Sequence, residues 1–364
     1  MEHMTEMSRT MFDRAKDPMS ISEAVGLLEE GAKFRSFADK LNAFAYGRNI
    51  RELLTGGLMK NHPEAKFDAV DKKVRNWLNG RTQSVSKQDA FELAFILSLS
   101  LEDADRFISM VTEEGIHWRD IQELVFGFAL SKGMRFDEAL SLYERMPKEA
   151  VNEDPTSGTA LVKSDILSIS DEEALIAYVG RTLSALGKFH NTAYNLFMDY
   201  MQMLEQAGIA DGLSEEKSMS VRDVLDSYLY RRMVPAGARG KKDALTDAQK
   251  FIKSDWPDET TLSRMKSRQT DVTRKVLILL FLATNGGDAE DDYDYDDDDD
   301  FTRDEIFADA VSRMNLMLTS CGFMKLDPRN RFDWMVMYAM CAEDIFDVDD
   351  RFSSFLSELY ASGN

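Results

Sequence analysis

The chain has 364 residues, of which 44% are hydrophobic and 30% are charged, and its formal net charge is −21. Its two cysteines, Cys321 and Cys341, exclude a disulfide framework. The longest strongly apolar run is Val276–Ala283, which is too short for a membrane-spanning helix of about 20 residues. Because the first residues also contain no apolar signal region, we expect a cytoplasmic protein of two or three domains without a membrane partner.

The charge is distributed unevenly along the chain. Residues 33–87 contain twelve Lys or Arg and five Asp or Glu, a local charge of +7. Residues 231–275 contain twelve basic and six acidic residues, a local charge of +6. Ten of the thirteen residues in 288–300 are acidic. Since nucleic-acid binding depends on where positive charge is located, the net acidity of the chain does not exclude it.

Helices are predicted through the first 115 residues from apolar side chains that recur every three to four positions. The first four predicted helices cover residues 20–32, 33–46, 48–60 and 66–79. The third is expected to end near Gly56–Gly57, and Gly80 suits the left-handed position after the fourth. Ser86 and Ser100 each precede an acid by three residues, which predicts two further capped helices. Gly115 is expected to end this part of the chain.

The rest of the chain is also predicted to be helical. Gly133–Met146 and Gly187–Met201 share a spacing of Gly, Ala, Leu and an aromatic residue that resembles half of a tetratricopeptide-type hairpin. Residues 261–284 are predicted to form one long helix, and helices over 301–318 and 332–345 follow. No alternating run of β-branched residues indicates a strand. The predicted fold class is therefore all-α.

Residues 66–108 have the order of elements found in a DNA-binding fold. A helix ends in "VRNWLNG" (74–80), a polar turn follows, and then come an apolar helix and a capped helix. This order resembles the second half of the Cro/CI-type helix-turn-helix of the phage-repressor (XRE) family, within a wider resemblance over about residues 33–110. The resemblance implies a recognition helix, duplex DNA as the partner, and dimerisation. The preceding "TGGLMKNHPEAKFDA" (55–69) is longer than the tight turn of that family and contains a proline.

Helical periodicity divides residues 67–78 into an apolar and a polar side. A step of about 100° per residue places on one side Phe67, Val70, Val74, Trp77 and Leu78. The polar side and the residues after it supply cations for phosphates and amides for base edges. The predicted nucleic-acid-binding residues are Lys72, Lys73, Arg75, Asn76, Asn79, Arg81, Gln83 and Ser84. An apolar back and a charged front are also typical of any surface helix, so a helix-turn-helix kept only for binding a protein stays an alternative.

The acidic run 288–300 allows three interpretations. Counted from Asp294, its acids match several positions of a calcium-binding EF-hand loop, but Asp299 stands where that loop needs glycine. A solvated linker is the simplest interpretation. In the third, the run folds back on a basic surface, either 60–81 or 231–275, and competes with nucleic acid.

The sequence contains no sign of catalysis. The four histidines lie in no metal-binding spacing, "PAGARGKKD" (235–243) departs from the phosphate-loop pattern, and no nucleophile–base pair is evident. We therefore expect a protein that is not an enzyme and has no metal, cofactor or small-molecule substrate. The predicted function is DNA binding by a transcriptional regulator from a bacterium or a mobile element. The alternative is an adaptor that binds a protein partner through helical hairpins.

Four segments are expected from these elements. Residues 1–114 would form the helix-turn-helix-like domain, and residues 115–286 a helical middle domain that includes the basic segment 231–275. Residues 287–300 would be an acidic linker, and residues 301–364 a small helical C-terminal domain.

Overall fold

The structure is a computed structural model that describes residues 5–31, 33–80, 82, 84–148, 159–187, 189–210, 219–235, 245–284, 302–342 and 347–361. Over these residues the chain forms nineteen α-helices, one short 3-10 helix and no β-strand. The predicted all-α fold class is confirmed. A single β-bridge joins Glu114 to Phe323.

The chain divides into two compact units. Unit 1 consists of Met1–Phe34, His190–Cys321 and Lys325–Asn364, and unit 2 consists of Arg35–Phe189 and Gly322–Met324. The helices of unit 2 are α3 Phe37–Ala43, α4 Ile50–Asn61, α5 Phe67–Leu78, α6 Lys87–Ile96, α7 Leu101–Thr112, α8 Ile121–Ser131, α9 Phe136–Glu144, α10 Thr159–Ser168 and α11 Glu172–Thr182, followed by the 3-10 helix Leu183–Ala185. The helices of unit 1 are α1 Glu6–Lys16, α2 Ile21–Glu30, α12 Asn191–Ala210, α13 Val221–Ser227, α14 Asp247–Lys253, α15 Glu259–Lys266, α16 Arg274–Ala283, α17 Arg303–Ser320, α18 Arg331–Met340 and α19 Val348–Ala361.

These units differ from the four sequential segments expected from the chain. Residues 1–34 group with the second half of the chain, and the expected boundary after residue 114 lies inside unit 2. The two tetratricopeptide-like segments, 133–146 and 187–201, contribute α9 to unit 2 and the start of α12 to unit 1. The expected acidic linker, 287–300, lies outside the described residues.

Unit 1 joins distant parts of the chain through α18. Trp334 is fully buried, and its indole nitrogen donates a hydrogen bond to the backbone oxygen of Met11 at 2.9 Å. The hydroxyl of Tyr338 donates to the backbone oxygen of Met19 at 3.0 Å. Because both partners are backbone groups, these bonds set the position of the segment around α1 and α2 rather than that of single side chains.

A buried ion pair links α16 to α18. Two guanidinium nitrogens of Arg274 lie 2.8 Å from the two carboxylate oxygens of Asp333, and the two side chains are 2% and 0% exposed. Asp333 also accepts the backbone N–H of Asp327 at 2.8 Å. This arrangement compensates both charges in a place that water does not reach, as a buried ion pair requires.

Several predicted helix boundaries are wrong. The predicted helix 261–284 is two helices, α15 and α16, because the chain turns at Arg268 with a φ of +55°. Its apolar part, Val276–Ala283, does lie in a helix and its side chains are buried from residue 276 to residue 282. α7 is followed by Glu113, which is in the left-handed conformation with a φ of +65°. The predicted caps of α6 and α7 are confirmed, since Ser86 and Ser100 each accept the backbone N–H three residues later at 3.1 Å.

The helix predicted over 48–60 continues through both of its glycines. α4 does not end at Gly56–Gly57 but at Asn61. At Gly57 it passes so close to α6 that a Cβ there would lie 2.5 Å from Cγ2 of Ile96. Glycine is therefore needed at this position for close packing and not to end the helix.

Candidate nucleic-acid interface

The candidate interface is built on α5, which packs against α3 and α4. Its apolar back is formed by Val70, Val74 and Trp77, which are 8%, 0% and 3% exposed. The Trp77 ring meets that of Phe37 edge to face, with 6.1 Å between their centroids. These contacts hold α5 by one side and leave the other side at the surface, as the helical periodicity predicted.

One member of the predicted apolar side is not buried. Phe67, the first residue of α5, is 59% exposed. Leu78, at the other end of the helix, is half-buried. The periodicity assigns a direction to each side chain, but at the end of a helix no neighbouring turn covers it. The expectation that Phe67 lies in the core is therefore wrong.

Two of the predicted DNA-binding cations are paired with acids of unit 2. The Lys73 ammonium lies 2.9 Å from Asp89 and 4.9 Å from the centroid of the Trp77 ring. The Arg75 guanidinium lies 3.0 Å from Asp71, one turn earlier on α5. These cations are about half exposed. Both pairs are therefore surface ion pairs, which contribute little to stability, and a DNA phosphate can replace the carboxylate as the partner of the cation.

A further cation joins this group from α4. Arg51 holds both carboxylate oxygens of Asp71, with nitrogen–oxygen distances of 2.7 to 3.0 Å. Asp71 is thus surrounded by Arg51 and Arg75, and the three side chains together carry one positive charge. Arg51 was not among the predicted residues, because nothing in the spacing of 51 and 71 indicates that α4 and α5 lie side by side.

The remaining predicted residues differ in exposure. Lys72 and Asn79 are exposed, and Lys72 has no ion pair among the described residues. Asn76 is half-buried, and Ser84, which follows α5 in the loop before α6, is exposed. The other two predicted residues, Arg81 and Gln83, lie outside the described residues. Lys72 is thus the predicted cation whose charge is least compensated within the part of unit 2 that the structure describes.

The turn between α4 and α5 is short and is contacted by a buried side chain of α6. It consists of residues 62–66, because α4 extends to Asn61. Glu92 of α6 is 5% exposed, and one of its carboxylate oxygens accepts a hydrogen bond from the Asn61 amide at 2.9 Å and lies 2.9 Å from Nε2 of the His62 ring. The irregular approach to α5 is therefore fixed to the helix beneath it by one buried carboxylate, which sequence spacing did not reveal.

Lys87, the first residue of α6, lies between two glutamates. The Lys87 ammonium is 3.0 Å from Glu123 and 3.2 Å from Glu114. Burial would lower the pKa of Lys87, but the two carboxylates outweigh it and the pKa is raised. Burial raises the pKa of Glu123 despite Lys87 and the backbone N–H of His117 that the carboxylate accepts. This cation is engaged inside unit 2 and is not free for a ligand.

A groove lies next to the candidate interface in unit 2. It has a volume of about 340 Å³ and is bordered by α4, by the end of α6 and by the turn between α8 and α9. Its apolar walls include Phe95, Ile96 and Phe136, and Lys60 and Arg135 supply positive charge at the border. Arg135 is itself paired with Asp137 at 2.6 Å.

The second basic segment, 231–275, does not present all of its charge to solvent. Arg274 and Lys275 are 2% and 8% exposed. The ammonium of Lys275 donates to the backbone oxygen of Ile252 at 3.2 Å and lies 4.8 Å from the centroid of the Phe332 ring. At least these two cations are internal, which weakens the case for 231–275 as a nucleic-acid surface.

Comparisons with known proteins return no match: no protein-family model, no curated protein and no solved structure is significantly similar to this chain. Within the described ranges, no helix combines the length and the hydropathy needed to cross a membrane. The same ranges contain no group of three or more His, Cys, Asp or Glu side chains suited to a metal ion. The function has to be inferred from the residues of the chain and their geometry.

Proposed function

We propose that unit 2 binds duplex DNA through α5 and that the protein acts as a regulator of transcription without catalysing a reaction. The observation that carries this proposal is the two-sided character of α5. Its back is anchored by buried Val70, Val74 and Trp77, and its front carries exposed Lys72 and Asn79. A helix that enters the major groove needs this combination of a docked back and a basic, amide-bearing front.

The surrounding helices support the proposal. The five consecutive helices α3 to α7 cover most of the residues 33–110 over which the sequence resembles the Cro/CI-type fold, and α5 lies among them. The turn before α5 is five residues long, which is closer to a helix-turn-helix than the fifteen-residue segment suggested. The acids Asp71 and Asp89 lower the local positive charge, so the affinity for DNA without a preferred sequence is expected to be modest and to fall further as salt rises.

The test is a gel-shift titration of the full chain on random-sequence 30-base-pair DNA at several salt concentrations. Changing Lys72, Lys73 and Arg75 together to Glu is expected to abolish most binding. The plot of the logarithm of the association constant against the logarithm of salt concentration should become less steep by up to about 2.7, since each phosphate contact contributes about 0.9. Lys72→Glu alone should lower affinity without disturbing any ion pair of the fold.

A matched control separates a local effect from net charge. Lys132, Lys148 and Arg181 are exposed cations of unit 2 outside α3 to α7. Changing these three to Glu alters the net charge by the same amount and should leave binding almost unchanged. If both triple variants reduce binding equally, or if the α5 variant binds as well as the wild type, the proposed function is wrong.

The groove beside α4 favours a second candidate function, an adaptor that binds a protein. Phe95, Ile96, Met134 and Phe136 give it apolar walls of the kind that receive a partner side chain. A photoreactive residue at Met134 in the full chain should then crosslink to a partner protein in cells. The crosslink should persist in the variant with Glu at 72, 73 and 75. Loss of the crosslink in that variant would argue against a separate protein-binding function.

A further inference from the structure

Phe67 is placed where a base-reading side chain would be. It is the first residue of α5, and 59% of its surface is exposed although a helix periodicity would bury it. In helix-turn-helix proteins, the residues at the N-terminal end of the recognition helix reach the edges of the bases.

A protein interface fits Phe67 poorly. Exposed large apolar side chains in the described part of unit 2 are few, namely Tyr46, Phe67 and Leu167. The Tyr46 hydroxyl donates to Asp103 at 2.9 Å, so that residue already has a role within the unit. One phenyl ring buries about 150–250 Å², far below the roughly 800 Å² per partner of a stable interface. The neighbouring residues, Lys66 and Asp68, are charged and exposed.

A small apolar target among polar groups fits Phe67 better. In the major groove, the C5-methyl group of thymine is the apolar group on the base edges, and phenylalanine is among the side chains that contact it. Lys72 lies five residues after Phe67, about 7.5 Å further along the helix axis. At about 100° per residue it is also rotated by about 140° around the axis from Phe67. A helix that enters the groove by its N-terminal end, rather than along its whole front, can therefore direct the ring to the bases and Lys72 to a phosphate. Asp71, the nearby acid, is already held by Arg51 and Arg75.

We propose that Phe67 contacts the C5-methyl group of a thymine, which makes it a specificity-determining residue for thymine at one position of the bound DNA. This inference rests on the proposed DNA-binding function and deepens it. It differs from the prediction made from the sequence, in which amides such as that of Asn76 contact the base edges and Phe67 lies on the apolar side of α5. Asn76 is half-buried, so the exposed ring at the start of the helix is the better candidate for base contact.

The experiment compares thymine with deoxyuridine, which lacks only the methyl group. The full chain first selects preferred duplexes from a pool with 20 randomised base pairs. Each thymine of an enriched duplex is then replaced singly by deoxyuridine, and affinities of wild type and Phe67→Ala are measured by gel shift. At one position the wild type should lose about fourfold in affinity, the value of one buried methyl group. Phe67→Ala should bind both duplexes equally and about as weakly as the wild type binds the uracil duplex.

Leu316→Ala is the matched control, because Leu316 is 72% exposed and lies on α17 of unit 1. It should keep the full sensitivity to uracil. If no thymine shows the fourfold effect, or if Phe67→Ala retains it, the thymine contact is refuted while DNA binding that depends on Lys72 still supports the proposed function. If Phe67→Ala leaves DNA affinity unchanged but Lys72→Glu lowers it, Phe67 makes no contribution to DNA binding and the inference is wrong. If the wild type binds no duplex, the proposed function itself fails.

Discussion

The adjacent glycines of α4 should respond in opposite directions to the same substitution. Both Gly56 and Gly57 lie in the interior of the helix, where alanine is more favourable than glycine by about 0.8–1.0 kcal/mol. A Cβ at Gly56 would have no atom within 4 Å outside its own helix backbone. A Cβ at Gly57 would lie 2.5 Å from Cγ2 and 2.7 Å from Cγ1 of Ile96. The two variants therefore share the gain in helix propensity and differ in the clash.

The clash at Gly57 is expected to outweigh the gain. The atoms it meets belong to a β-branched side chain and are attached directly to Cβ, so they cannot rotate away as the end of a long side chain would. Overpacking of this kind costs about 1–3 kcal/mol. We expect Gly56→Ala to raise the free energy of opening of α4 by up to about 1 kcal/mol, and Gly57→Ala to lower it by up to about 2 kcal/mol.

Hydrogen exchange of the full chain, measured by mass spectrometry on peptides that cover α4, reads this free energy locally. Gly57→Ala should exchange faster than the wild type by up to about 30-fold, since about 1.36 kcal/mol corresponds to a factor of ten. Replacing Ile96 by Ala should remove most of this penalty. Equal exchange in Gly56→Ala and Gly57→Ala would refute the close packing of α4 on α6.

Three further predictions concern buried groups. Glu92→Ala removes the hydrogen bond to Asn61 and the contact with His62, and should cost about 2 kcal/mol, because a hydrogen bond to a charged group contributes about 1.5–3 kcal/mol. Amides of α5 should then exchange about 30-fold faster, and Glu92→Gln should show a smaller effect. Asp333→Ala leaves the charge of the buried Arg274 uncompensated by this carboxylate, and should lower the urea midpoint of unit 1 by the equivalent of about 3–5 kcal/mol. A loss of stability below about 1 kcal/mol would contradict the buried ion pair. Burial raises the pKa of Cys321 to about 11, so this thiol is neutral at pH 8 and should resist thiol reagents until the chain is unfolded in urea. Because the pKa of Cys321 is higher in the folded chain than in the unfolded chain, the buried neutral thiol contributes to stability at neutral pH. This contribution is lost as the pH rises through about 11.

The sequence predicted the fold class and the buried side of α5 because both depend on local periodicity. Val70, Val74 and Trp77 are buried as the 3.6-residue repeat requires. The caps Ser86 and Ser100 were predictable for the same reason, since a hydroxyl and an acid three residues apart act within one turn. Such signals contain no information about residues that are distant along the chain.

What the sequence did not predict depends on distant partners or on helix ends. The pairs of Asp71 with Arg51 and of Lys73 with Asp89 arise from the packing of neighbouring helices. These pairs reduce the capacity of the basic side of α5 to bind phosphate, because a cation paired with an acid is less available to another anion. Phe67 has the right phase for the core but lies where the helix begins, and only the three-dimensional arrangement shows that nothing covers it.

Unit 1 is assembled from segments that are synthesised far apart in time. Its α1 and α2 are translated before all of unit 2, whereas α18, which supplies Trp334 and Tyr338 to them, is separated from them by more than 300 residues. Unit 2, by contrast, needs from beyond residue 189 only Gly322–Met324. α1 and α2 are therefore synthesised long before α18, at a stage when most of unit 2 can already fold. Deletions near the beginning of the chain should accordingly expose the apolar surface of α18 and favour aggregation of newly made protein.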